Sequence, residues 1–299
     1  MKIIAVVVTY NRLELLKQSI ASLRNNSPLS QIVVVNNGAT DGTHEWLDAQ
    51  SDILTIHQSN VGGSGGFYTG IAKAYEMGAD WIWCMDDDVF PRQDCLQQLL
   101  DCLGKDIGIL APRRILNGQP FIHEFTSYNF TNPLLSMKRG KLHPSISVPT
   151  DIAGCDFEGP FISRQVVERI GLPNKDFFIF CDDTDYCLRA YLAGFRLCYV
   201  PTALMDKQAF FSEDSWASRQ QKKKWKRYYQ VRNEAYMNHH YGKNFAVRYG
   251  RSLMGLAGYV AIALCSMPFS KAWKWKDISR LYQAYRDGIN ERLGRSVNS

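Results

Sequence analysis

Paired cysteines are missing from this chain. Its 8 cysteines among 299 residues are scattered, and no two stand as Cys-x-x-Cys. That excludes the usual zinc and thiol-redox motifs and fits reduced thiols in a cytosol. A secretion signal is missing as well. Residues 1–8 are too short for a signal core, and Thr9-Tyr10-Asn11-Arg12 follows with no small-residue cleavage site. They read as a first strand, so the expected location is cytoplasmic. There is no Walker loop, because no Lys-Ser or Lys-Thr follows the Gly-rich residues 62–66. There is no convincing membrane span. Residues 253–269 carry no charge, yet Gly255, Gly258 and Pro268 break them, and they lie at the short limit for a bilayer. The net charge of +6 is a modest excess, gathered towards the C-terminus.

What is present is an α/β pattern. A 45% hydrophobic content supports a core, and the length fits one large α/β domain with an appendage. Apolar runs at 2–8, 32–35, 54–57, 81–85 and 107–110 read as buried parallel strands. Helical patterns separate them. Leu13, Leu16, Ile20 and Leu23 share one face, and Asn11 with Glu14 has the spacing of a capping box. Alternation of this kind predicts a mostly parallel, Rossmann-like sheet with helices on both faces. In such sheets ligands bind beyond the carboxyl ends of the strands. Thr9-Tyr10, Asn36-Asn37, the Gly-rich stretch and Asp86-Asp87-Asp88 all stand at those ends. Four segments therefore converge on one rim.

The acids carry the chemistry. Residues 81–85 run straight into Asp86, Asp87 and Asp88. Three adjacent acids cannot share a core, so the strand ends there and the acids face a solvated site. They repel one another unless a cation sits among them, and hard ions such as Mg2+ or Mn2+ take oxygen ligands. An acidic turn after a strand is the bland alternative. A second junction follows, where the apolar run 177–181 reads as a strand ending in Asp182, Asp183, Thr184 and Asp185. Helix N-capping explains one of those acids, not three. The first cluster can then bind a cation while the second supplies a base that takes a proton from a hydroxyl within hydrogen-bond reach. The glycines have two readings, cheap turns or close backbone approach to an anion at a helix start. Between the junctions, Pro120, Pro133, Pro144 and Pro149 interrupt residues 113–150, which read as an irregular insertion.

Val6-Val7-Val8-Thr9-Tyr10-Asn11-Arg12, residues 33–43, Asp86-Asp87-Asp88 and Asp182-Asp183-Thr184-Asp185-Tyr186-Cys187-Leu188-Arg189-Ala190 resemble the inverting family 2 glycosyltransferases of GT-A fold. The match in order and spacing covers residues 1–206, implying a catalytic domain there and a basic, aromatic, mainly helical region at 207–299. Residues 60–67 and Tyr228-Tyr229-Gln230-Val231-Arg232-Asn233 look more particularly like the galactofuranosyltransferase branch. The resemblance implies a nucleotide-sugar donor, best matched by UDP-galactofuranose, with a dTDP-rhamnose donor as alternative. It casts Asp183 as the base and Asp182 as an acceptor contact. Thr9, Tyr10 and Asn36 would line the nucleoside pocket. Arg12, Asn60, Gly62, Gly63, Gly65, Gly66, Asp87, Trp216 and Arg232 complete the substrate-binding set. Asp86 and Asp88 would hold Mn2+ or Mg2+. The family usually has a metal-binding His after the last strand. Here Asp206 is the nearest oxygen ligand in register, so it is expected as the third ligand.

Residues 219–232 interleave basic and aromatic side chains, and Arg248, Arg251, Lys271, Trp273, Lys274, Trp275 and Lys276 flank residues 253–269. Borders of this kind suit a membrane interface; a buried helix or a dimer contact fits as well. Lipid-linked glycan acceptors in the family favour the cytoplasmic face of the inner membrane. A nucleic-acid partner would leave both acidic clusters unexplained. A sugar nucleotidyltransferase would carry its Gly-rich signature directly after the first strand. A catalytically inactive sugar-nucleotide-binding module should have lost Asp183.

Overall fold

A computed structural model describes residues 1–209, 216–267 and 273–296. The strands and helices β1 (Ile3–Thr9), α1 (Leu13–Arg24), β2 (Gln31–Asn36), α2 (Thr43–Asp48), β3 (Ile53–His57), α3 (Gly62–Glu76) and β4 (Trp81–Asp86) alternate as the apolar periodicity predicts. Then come β5 (Val89–Pro91), α4 (Cys95–Leu100), β6 (Ile107–Leu116), β7 (Gln119–Phe121), β8 (Phe125–Tyr128), β9 (Lys138–Lys141), β10 (Thr150–Ile152) and β11 (Phe161–Ser163). The chain continues with α5 (Arg164–Ile170), α6 (Asp182–Leu192), β12 (Arg196–Lys207), α7 (Trp216–Tyr241), α8 (Ser252–Ser266) and α9 (Trp275–Ile289). The main sheet runs β10-β12-β6-β11-β4-β1-β2-β3, with β5 on β12 and β7 on β6. Strands β3, β2, β1 and β4 are mutually parallel, and β11 runs antiparallel between β4 and β6.

Period-two alternation divides the core. Ile4, Val6 and Val8 of β1 face Phe67, Ile71 and Ala74 of α3. Ile3, Ala5 and Val7 face the opposite layer, with Leu16, Ile20 and Leu23 of α1. The α3 layer is unusually close to the sheet. A Cβ on Gly66 would lie 2.5 Å from Val8 Cγ1, and one on Gly70 2.2 Å from Val6 Cγ1. These glycines therefore let a helix press on a β-branched strand.

Three local expectations change. The insertion at 113–150 is not irregular throughout. β6 runs on to Leu116 and turns through Asn117 (φ 51°) and Gly118 (φ 75°) into β7. A two-residue Asn-Gly loop with both φ positive is the favoured hairpin connection. Residues 177–181 are not a strand. A single turn at Lys175–Phe177 is followed by Phe178, Phe180 and Cys181 at φ of 67°, 69° and 66°. Left-handed non-glycine residues cannot extend a ladder. Asn11 does not cap α1; its carboxamide oxygen accepts from the Thr40 N–H at 2.7 Å. The free Leu13 N–H finds Asp41 Oδ2 at 2.9 Å instead.

The chain divides into two compact units. The first holds Met1–Ser127, Gly140–Lys175 and Asp182–Ala209; the second holds Tyr128–Arg139, Asp176–Cys181 and Phe210–Ser299. In the second unit Tyr228, Tyr229 and Val231 of α7 pack with Leu256 of α8, Leu281 and Ala284 of α9, and Phe178.

Candidate active site

The first acidic cluster lies at the carboxyl end of β4, within the first unit. Thr9, buried at the end of β1, donates its hydroxyl to Asp87 Oδ2 at 2.7 Å. Arg12 Nη1 reaches Asp87 Oδ1 at 3.1 Å and Asp88 Oδ2 at 3.2 Å. Burial raises the Asp87 pKa, and Arg12 and Thr9 oppose the shift. Asp87 is thus held inside the protein by Thr9 at the end of β1 and Arg12 in the loop after it, whereas Asp86 and Asp88 carry ligand atoms that gather with one from Glu158. These atoms all lie within 4.8 Å of one another. Burial drives the Asp86 carboxyl well above the ordinary carboxylate range, and the charges of Asp88 and Glu158 add to the push. Three converging hard oxygen donors fit a Mg2+ or Mn2+ ion.

Glu158 was not among the expected residues. It precedes β11, and because β11 runs antiparallel to β4, its start lies beside the end of β4. Gly159 makes the approach feasible. Its φ is 106°, its N–H donates to Cys84 O at 2.9 Å, and a Cβ there would lie 2.3 Å from Met205 Sδ. Arg114, only 1% exposed, then fixes the carboxylate. It contacts Glu158 at 2.6 Å, Asp156 at 2.7 Å and Glu124 at 2.7 Å. A Glu-Gly-Pro turn between two short apolar runs was the available signal. It needed the strand direction to be read.

Asp206 does not join this group. Successive strand residues point to opposite faces, and Asp206 and Lys207 are neighbours on β12. Asp206 pairs with Arg92 at 2.8 and 3.0 Å and is 48% exposed. Lys207 takes the inner face. Its Nζ reaches Glu158 Oε1 at 2.8 Å and Asp88 Oδ1 at 3.3 Å.

The remaining expected residues fall into distinct roles. Asn36 is 2% exposed. Its oxygen accepts from the Ala39 N–H at 2.9 Å, and its NH2 meets His57 Nδ1 at 3.0 Å. Its carboxamide therefore shapes the loop after β2 rather than projecting from it. Asn37 does similar work, donating to Gly62 O at 3.0 Å and accepting from the Val61 N–H at 3.2 Å. Asn60 Oδ1 accepts from the Gly62 N–H at 2.9 Å. Gly62 has a φ of 80°, Gly65 packs against Val61, and a Cβ on Gly63 would meet nothing within 4 Å. Close packing thus accounts for Gly65 and Gly66, while Gly63 has open space. Tyr10 is exposed.

The second acidic cluster begins α6. Asp182 is buried and its pKa is raised to about 7, first by desolvation and then by the charge of Asp183. The Ser64 hydroxyl, from the first turn of α3, lies beside it and opposes the shift. Asp183 Oδ1 accepts from the Thr184 N–H at 2.5 Å and the Thr184 hydroxyl at 3.0 Å. Asp185 pairs with Arg189 one turn on, at 2.9 Å.

Arg232 lies in the second unit, and its place differs from a substrate contact. It is 1% exposed and donates to the carbonyl oxygens of Phe177, at 2.7 Å, and Gly294. Its neighbour Asn233 donates to Ile179 O at 2.8 Å and Phe180 O at 2.9 Å. Together they hold the left-handed loop 178–181. The Trp216 side chain lies outside the described residues.

Comparison with known proteins agrees with this geometry. The pattern of Glycosyl transferase family 2 matches residues 4–170. An undecaprenyl-phosphate mannosyltransferase of Micrococcus luteus is 22% identical over 213 residues, covering 70% of this chain and 85% of that one. The galactofuranosyltransferase GlfT1 of Mycolicibacterium smegmatis is 28% identical over 218 residues, covering 67% and 69%. Among solved structures, the mannosyltransferase PcManGT of Pyrobaculum calidifontis, in complex with GDP-Man and Mn2+, superposes with a TM-score of 0.51 at 13% identity. That superposition covers 97% of this chain and 88% of the other and shares the GT-A fold. With more than half of its length matched on this fold, the chain belongs to glycosyl transferase family 2 and is a glycosyltransferase.

Proposed function

We propose that the enzyme transfers galactofuranose from UDP-galactofuranose to a hydroxyl of a lipid-linked glycan, with inversion at the anomeric carbon. The oxygen cluster of Asp86, Asp88 and Glu158 at the end of β4 is the observation that carries a diphosphate-handling site. The likeness to GlfT1 supports the donor, and the likeness to an undecaprenyl-phosphate enzyme supports the lipid carrier. A divalent ion in that cluster, Mn2+ or Mg2+, would neutralise charge on the departing diphosphate. Asp183 takes the proton of the acceptor hydroxyl. The acceptor oxygen then bonds to the anomeric carbon as the bond from that carbon to the diphosphate oxygen breaks. One displacement from the opposite face inverts the configuration, and UDP leaves. Asp182, protonated below about pH 7, donates or accepts a hydrogen bond at the acceptor side.

The second unit supports action at a membrane surface. No helix among the described residues is long and apolar enough to cross a bilayer. Yet α8 exposes Leu253, Met254, Ile262 and Leu264, and Trp275, which opens α9, is 74% exposed. Apolar side chains with an aromatic border suit interfacial docking on the cytoplasmic leaflet.

The test is transfer by the purified enzyme to a polyprenyl-diphosphate-linked acceptor. The donors are UDP-galactofuranose, UDP-galactopyranose, dTDP-rhamnose and GDP-mannose, with the product anomer read by NMR. Turnover with UDP-galactofuranose and an inverted product is expected. Turnover with dTDP-rhamnose alone, or a retained anomer, would overturn the reading.

A further inference from the structure

We propose that Lys207 is a resident cation of the acidic site, standing where a divalent ion would bind and excluding it until the nucleotide arrives. The inference rests on the metal-binding reading of Asp86, Asp88 and Glu158 and goes beyond it. The Lys207 ammonium bridges Glu158 Oε1 and Asp88 Oδ1, two members of the carboxylate cluster at the end of β4 that could take an ion. It does not reach them by chance of a long side chain. Lys207 pairs with Val89 across the β12–β5 ladder, and the next N–H, from Gln208, donates to Asp88 O at 2.9 Å. Its main chain is therefore pinned beside Asp88. Arg114 pins Glu158 from the other side at 2.6 Å. The side chain is mostly buried, at 11% exposed.

The consequence is electrostatic. Asp86, Asp88 and Glu158 bring three carboxyl groups. Lys207 supplies one positive charge against them, and Arg12 touches Asp88 as well. A divalent ion entering this group must break both Lys207 contacts and accept a positive neighbour at short range. Water screens such repulsion weakly in a buried site. A nucleoside diphosphate changes the balance, because its oxygens offer the displaced ammonium a new partner. Ion and nucleotide should then bind in order, nucleotide first, or together.

The test is calorimetric titration of Mn2+ into the full chain without nucleotide, for wild type, Lys207→Gln and Lys207→Arg. Lys207→Gln should bind Mn2+ about ten-fold or more tightly than wild type, as expected for removing a unit charge at this range. Lys207→Arg keeps the charge and should stay near wild type. In EDTA, Lys207→Gln should bind UDP several-fold more weakly. Equal or weaker Mn2+ binding by Lys207→Gln would overturn the proposal, as would no binding by any form. Thermal melting checks that each variant is folded. Sugar transfer by the same wild-type preparation reports separately on the proposed reaction, so the two failures are distinguishable.

Discussion

Asp86, Asp87 and Asp88 close a strand, whereas Asp182, Asp183 and Asp185 open a helix, and the two settings treat carboxylates differently. At the strand end the acids are balanced by cations from elsewhere in the chain, Arg12 from the first loop and Lys207 from the last strand. Charges of both signs gather there. At the helix start, the backbone supplies much of the compensation. Thr184 serves Asp183 through its N–H and hydroxyl, Asp185 spends itself on Arg189, and Asp182 is left buried with a raised pKa. Helix N-termini favour negative charge. On the proposed reading, one cluster collects a cation and the other exchanges a proton.

The largest effect should follow Asp183→Asn. The amide keeps the shape and removes the basicity, so sugar transfer should fall by about two to four orders of magnitude, with the KM for donor little changed. Wild-type turnover would erase the contrast between the clusters. Glu158→Gln probes the other side. Replacing the Glu158 carboxylate by an amide should raise the Mn2+ concentration for half activity by about ten-fold, while Asp206→Ala should leave that titration unmoved. Losing the exposed Arg92 pair should cost only about 0–1 kcal/mol of stability. The reverse result would restore Asp206 as the ligand.

Asn233→Ala leaves carbonyls of the left-handed loop without a donor and should cost about 1–3 kcal/mol of stability, read by denaturant unfolding. An unchanged midpoint would mean that the loop holds itself.

Asp182→Asn should give a change that depends on pH. The folded pKa of about 7 stands above the ordinary carboxylate value. Folding therefore takes up a proton between about pH 4 and pH 7, and stability falls as pH rises across that window. The variant should melt higher than wild type at about pH 8 and gain nothing at about pH 4. A gain equal at both values would remove the buried-acid account of Asp182.

Much of this was legible in the sequence. The apolar runs located the five parallel strands of the first half, and the jump from Met85 to Asp86 marked the rim without any coordinates. Three features escaped for physical reasons. Residues 177–181 are apolar enough for a strand, but composition does not report left-handed φ, and the donors that hold them, Arg232 and Asn233, lie more than fifty residues on. Glu158 reaches the acids only because β11 runs against β4, and strand direction is not written in a short apolar run. Asp206 and Lys207 differ by one residue, and that single step of a strand exchanges inside for outside. The Asn117-Gly118 turn was readable, since Asn-Gly between apolar residues is a strong hairpin signal.

The division of labour between the clusters is tested most directly by calorimetric UDP binding in saturating Mn2+ for wild type, Asp183→Asn and Glu158→Gln. Asp183→Asn should bind UDP as wild type does, and Glu158→Gln should bind it about ten-fold more weakly. Equal loss of UDP affinity in both variants, or a loss confined to Asp183→Asn, would contradict the account.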